Sequence, residues 1–256
     1  MHIKTCAVVG ALMAVLCGVV AATASANPFV GPQICTGKGT AISGNYSTLT
    51  ISGNAYVPEG ATLNVTRNLT LAPGSCLDAF TVATVNVGGD IMVGSGAILA
   101  LGCTPGALGP PLNQPPCHGQ ATHDTVGGSI SANAPLTMYL DGNTIRGSVI
   151  SRGGGPGLSS ESFVNFPIKD NVIGGKLLVE GWQGGWAGLI RNQVGGSVSF
   201  SQNASVLDPD SNEVQTNVVT GDLVCFGNSP AAHVNPEDGG QPNTVGGKKI
   251  GQCAGL

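Results

Sequence analysis

Charge is scarce in this chain. Asp, Glu, Lys and Arg make up 9% of its 256 residues, aromatic side chains only 4%, and the net charge is -4. With no basic surplus, the electrostatic footprint of a nucleic-acid binder is missing. No Lys/Arg-rich tract is present to hold an anionic lipid surface. Also missing is any segment of helical length with a 3.6-residue apolar stripe and caps, which argues against a helical fold. Low charge with few aromatics is one mark of disorder, but disordered chains are poor in β-branched residues too. Here Val, Ile and Thr fill the space between the glycines. The chain is expected to fold, as strands and tight turns.

Glycine is abundant instead, at 41 residues, and much of it belongs to one recurring phrase. Asn192-Gln193-Val194-Gly195-Gly196 has relatives in Asp124-Thr125-Val126-Gly127-Gly128, Asn143-Thr144-Ile145-Arg146-Gly147, Asn171-Val172-Ile173-Gly174-Gly175 and Asn243-Thr244-Val245-Gly246-Gly247. Asn212-Glu213-Val214 reads as a further copy without its glycines. The anchors Val126, Ile145, Ile173, Val194 and Val214 then follow at intervals of 19, 28, 21 and 20 residues. Such a period means stacked units, none able to bury its apolar face alone. The Val or Ile would point inward, and Gly-Gly would let the backbone approach the next coil. The Asn tolerates a left-handed bend, and like side chains on successive coils can bond in a ladder. A hairpin sandwich would also place strands every 8–12 residues or so, but not one phrase per circuit. The expected fold is all-β, a single right-handed parallel β-helix of about 8–10 coils.

Residues 1–26 read separately. Met1-His2-Ile3-Lys4 is a short positive start, an apolar run follows from about Cys6 to Ala22, and Ala24-Ser25-Ala26 matches a signal-peptidase site. A retained anchor is the alternative, but no Lys/Arg stop-transfer cluster follows. The expectation is an exported, extracellular protein starting at Asn27, with residues 27–256 as one β-helix domain and no membrane association after cleavage. Six cysteines then remain, Cys35, Cys76, Cys103, Cys117, Cys225 and Cys253. An even number in an oxidising compartment reads as disulfides. Local pairing in order gives Cys35–Cys76, Cys103–Cys117 and Cys225–Cys253, each stapling a terminus or an excursion.

Three stretches break the period and should bulge from the coil. Residues 103–123 carry five prolines, which central strands do not accept. Residues 152–169 contain Gly153-Gly154-Gly155-Pro156-Gly157, and residues 227–242 contain Pro230, Pro236 and Pro242. In solenoids such insertions often carry the binding face.

The closing segment is the most specific part of a family resemblance. Gly221-Asp222-Leu223-Val224-Cys225, a Pro/Gly-rich gap, then Asn243-Thr244-Val245-Gly246-Gly247-Lys248-Lys249 and Gln252-Cys253 resembles secreted actinobacterial right-handed parallel β-helix proteins of uncharacterised function. The likeness covers most of residues 35–253. It implies the fold, export and the Cys225–Cys253 staple, and it carries no catalytic residue with it. The Cys103–Cys117 excursion departs from the plainest members.

Candidates for chemistry are few. Asp208-Pro209-Asp210-Ser211-Asn212-Glu213 starts like a calcium loop, but Glu213 stands where that loop needs Gly and Val219 where it needs the distal Glu. Cys117-His118 with His123 invites zinc, yet the spacing from Cys103 is wrong for a finger. No Gly-x-Ser-x-Gly elbow and no phosphate-binding Lys-Ser/Thr loop occurs. No metal and no cofactor is therefore expected. Asp141, Asp170 and Asp210 each precede a repeat Asn, and stacking could align them as the paired carboxylates that glycoside hydrolysis needs. A lyase would need an Arg or Lys base near an acidic group, and Arg146, Arg152, Lys169, Lys176 and Arg191 are available. Trp182 and Trp186, the two tryptophans, either form a sugar platform or fill a wide coil. Four Asn-x-Ser/Thr sequons, at Asn45, Asn64, Asn68 and Asn203, matter only in a host that glycosylates them. The leading expectation is a non-catalytic exterior protein, structural or binding polysaccharide or cell wall through Trp182 and Trp186. The alternative is a polysaccharide lyase or glycoside hydrolase on a pectate-lyase-like β-helix.

Overall fold

The computed structural model describes residues 35, 39–104, 117, 119–159, 164–207, 209–236 and 239–256. Residues 1–26, the proline-rich part of the first excursion with His118, and Asp208 lie outside the described residues. Each coil gives one short strand to each of three parallel sheets, visited in the order A, B, C. Sheet A has eight strands, from Thr40–Ala41 to Asn212–Gln215, and sheets B and C have nine each. The chain is a parallel β-helix of about nine turns. The expected disulfides are all present: Cys35–Cys76, Cys103–Cys117 and Cys225–Cys253.

Alternation along each strand builds the core. In Leu69-Thr70-Leu71 and Val198-Ser199-Phe200 the apolar residues are buried and the polar one faces out, as a period of two requires. Stacking turns these positions into rows. In sheet B, Val65, Val87, Val126, Ile145, Ile173, Val194, Val219 and Val245 lie in register. The glycine pairs stack beside this row. A Cβ on Gly127 would sit 2.2 Å from the carbonyl oxygen of Gly88, so no larger residue fits between coils there. After the last strand, Lys249–Gly251, a short 3-10 turn at Gln252–Gly255 closes the end of the chain.

At the A-to-B corner the repeat asparagines turn inward and bond to one another. Asn143, Asn171, Asn192 and Asn217 each donate their backbone N–H and Nδ2 to Oδ1 of the Asn one coil on, ending at Asn243. Each Nδ2 also donates to a strand carbonyl of the preceding coil, as Asn192 does to Ile168 at 2.8 Å. A second, shorter ladder of Asn203, Asn228 and Gln252 lines the C-to-A corner. The stacking expected of these asparagines is therefore real. The left-handed bend, however, falls on the residue before each one: Gly142, Asp170, Arg191 and Thr216, at φ 74°, 57°, 55° and 58°.

Sequence register fails at one copy. Val214 belongs to sheet A, and the residue paired with Val194 in sheet B is Val219. Asn217-Val218-Val219 is the true copy, and Asn217 takes the ladder place assigned to Asn212. The phrase was hard to see because Thr220-Gly221 has replaced the glycine pair.

Removing one rung should be costly. Asn192→Ala strands the buried Asn171 N–H and Ile168 carbonyl, each at about 1–3 kcal/mol. Denaturant unfolding should show a clear fall in midpoint for Asn192→Ala, while the neighbouring exposed Gln193→Ala stays near the wild-type value.

Candidate functional site

All three excursions open beside sheet A. The first leaves its strand Ile98–Leu101, the second enters its strand Asn165–Lys169, and the third takes the place of a ninth sheet A strand. Over the early coils the outer face is covered: Phe80, Ala100, Cys103 and Cys117 form a small apolar cluster with Tyr139 packed against it. Beyond that cover the outer face turns polar. Register aligns Asp141, Lys169, Ile190 and Gln215 across four coils, with Gly188 and Glu213 in the next row.

The corner bends give this face its ion pair. Asp170 and Arg191 hold equivalent left-handed positions on successive coils, so their side chains leave the corner together. Arg191 donates from Nε to Asp170 Oδ1 at 2.7 Å and from Nη2 to Oδ2 at 2.6 Å. A left-handed non-glycine costs on the order of 1–3 kcal/mol, and Gly142 shows that glycine serves at this corner. Thr104, directly after Cys103, reaches the same place: its Oγ1 is 2.5 Å from Asp141 Oδ1 and 3.4 Å from Asp170 Oδ2. The first disulfide-closed excursion thus brings one hydroxyl between two carboxyls.

Their environments differ. Asp141 is 3% exposed, and burial pushes its carboxyl up to about 7; Asp170 adds to the rise, while Thr104, Lys169 and Arg191 oppose it. Asp170 instead stands at the partly exposed corner, gripped in bidentate fashion by the Arg191 guanidinium. Burial also lowers the Lys169 ammonium, opposed chiefly by Asp141. One buried carboxyl raised to about 7 therefore sits beside one clamped by a guanidinium.

The tryptophans part company. Trp182 is fully buried, packs on Phe166 at 5.4 Å between ring centroids and donates Nε1 to the Leu136 carbonyl. It fills the core, so the two-indole platform does not hold for Trp182. Trp186 is partly exposed on the outer face of sheet A. Both rings fold over the glycine two residues on, and a Cβ on Gly188 would lie 2.1 Å from the Trp186 ring. Lys169 Nζ stands 4.8 Å from that ring's centroid, and Trp186 Nε1 donates to Glu213 Oε1 at 3.0 Å. Gln215 Nε2, two residues along the same strand, donates to Glu213 Oε2 and holds that carboxyl in place.

Other candidates fall elsewhere. Asp210 lies 3.7 Å from His233 Nε2, at the opposite end of the sheet A strands from Asp141 and Asp170. The misread register had aligned it with them. Arg152 faces Glu180 on sheet C at 3.6 Å. Asn203 is buried in its ladder and closed to glycosylation, and Cys103 and Cys117 are spent in their disulfide. Among the described residues no group of three or more His, Cys, Asp or Glu is placed to hold a metal ion, and no helix is long and apolar enough to cross a membrane. Sequence reasoning missed Thr104, Glu213 and Gln215 as members of this face. Comparison with family models, curated proteins and solved structures finds no match to this chain.

The two indoles should be separable in solution. Acrylamide should quench the Trp182→Phe protein, which keeps only Trp186, much more strongly than the Trp186→Phe protein. Equal quenching of the two would contradict their placement.

Proposed function

We propose that this is an exported β-helix protein that binds a neutral polysaccharide at the cell exterior, along the outer face of sheet A. The observation that carries the reading is Trp186, laid over Gly188 with Lys169 and Glu213 against its ring, on the same sheet face as Asp141 and near the corner that carries the Asp170–Arg191 pair. An aromatic face beside fixed hydrogen-bonding groups is suited to sugar rings and their hydroxyls. Charges on this face balance when Asp141 is protonated, which suits an uncharged chain better than a strongly anionic one. A sugar stacking on Trp186 displaces the Lys169 ammonium from the ring and leaves it free to bond a hydroxyl. The three disulfides fit an oxidising environment, and the leader-like residues 1–26 and the resemblance to secreted β-helix proteins support export.

A second reading has its own support. Asp141 and Asp170 flank one hydroxyl, and a buried carboxyl raised to about 7 beside a second carboxyl in a different environment is the kind of pair that glycoside hydrolysis uses. Sedimentation with insoluble polysaccharides and cell walls, with the supernatant assayed for released sugar, separates the two. Binding without release supports the first reading, and Trp186→Ala should then weaken it about tenfold or more, at least about 1.4 kcal/mol. Binding that survives Trp186→Ala at wild-type strength removes the sheet A surface. Sugar release that disappears in Asp141→Asn would establish the second reading instead.

A further inference from the structure

The upper end of the long asparagine ladder is not an asparagine. Thr125 pairs with Thr144, as Thr144 does with Val172, so Asp124 stacks on Asn143 as Asn143 stacks on Asn171. Asp124 Oδ1 accepts the Val85 N–H at 2.7 Å from the coil before, the part that the Asn Oδ1 atoms play from Asn171 onward. Asp124 Oδ2 is then left where the other rungs carry Nδ2, which donates to the next Oδ1. Both Asp124 Oδ2 and Asn143 Oδ1 are buried with no hydrogen-bond partner. Turning the Asn143 amide over would not help, because its Nδ2 already donates to Asn171 Oδ1 and to the Leu101 carbonyl.

We propose that Asp124 is a protonated rung whose O–H donates to Asn143 Oδ1, making the joint between the first excursion and the coil sensitive to pH. A carboxylate would set two unpaired oxygens against each other in the interior, the arrangement buried polar groups avoid. A proton completes both with one bond. Burial pushes the Asp124 carboxyl up to about 7, against the pull of the Val85 and Gly102 N–H groups. Those two amides and Asn143 are what it meets from the strand Thr84–Val87, the start of the excursion and the following coil; no charged side chain contributes to its shift. Gly102 and Thr122 border the same joint, with the Thr122 N–H bonded to the Cys103 carbonyl at 2.8 Å.

The folded state keeps a proton that the unfolded chain releases near 3.8. The stabilisation is therefore full below about pH 4, falls as pH rises to about 7, and stays lost above that. Asp124→Asn supplies the missing Nδ2 and should remove this dependence. The test is unfolding of the disulfide-intact protein and of Asp124→Asn at pH 4 to 8. The ratio of their unfolding constants should grow by up to about tenfold per pH unit through that range and level off near pH 7; Asp141 is common to both proteins and cancels. Parallel pH profiles would overturn the proposal. Should the variant not fold, the wild-type Asp124 side-chain carbon read by NMR at pH 5 decides: a carboxylic-acid shift supports the rung, a carboxylate shift overturns it.

Discussion

The structure depends on the hydrogen bond that passes from one asparagine to the next at the A-to-B corner. Each coil is too short to enclose a core, and at this corner the chain must turn inside the molecule, where water cannot satisfy its amides. The asparagines do it from within the chain, and each rung from Asn171 to Asn243 binds both a backbone N–H and a strand carbonyl. The rows of Val, Ile and Leu supply the apolar burial, but apolar contacts alone would tolerate a slip between coils. The ladder fixes which residue stands above which.

That constraint also positions the polar face. Because Asn171 and Asn192 are locked in register, the residues just before them leave the corner as a pair, and those residues are Asp170 and Arg191. The same register puts Lys169 next to Asp141 and Gln215 next to Ile190. Only Thr104 comes from outside the regular coil, carried in by the Cys103–Cys117 excursion.

Much of this was legible in the residues. The repeated phrase, the alternation in segments such as Leu69-Thr70-Leu71 and the order of six cysteines led to the fold and its staples, because each reflects a local requirement. Asp141 and Asp170 could be paired because each stands just before a true copy of the phrase, at Asn143 and Asn171. Asp210 was grouped with them through the false copy at Asn212, where Asn212 and Val214 in a sheet A strand imitate the Asn-x-Val of the repeat. Trp182 and Trp186 looked equivalent because both precede a glycine by two. What separates them is strand parity: Trp182 lies at an inward-turning corner and Trp186 on an outward position, which composition does not record. Thr104 gave no signal, since its role arises from a contact across 37 residues.

The corner ladder has an evolutionary implication. A coil that contains one inward Asn, its inward strand residues and a close-packed glycine meets the same neighbours wherever it is inserted. Duplication or loss of a coil of some twenty residues would lengthen or shorten the outer surface of sheet A in steps of about 4.8 Å, without repacking the interior. Such a molecule is a ruler whose divisions are set by its backbone. Relatives differing in turn number could match partners of different length with the same side-chain vocabulary.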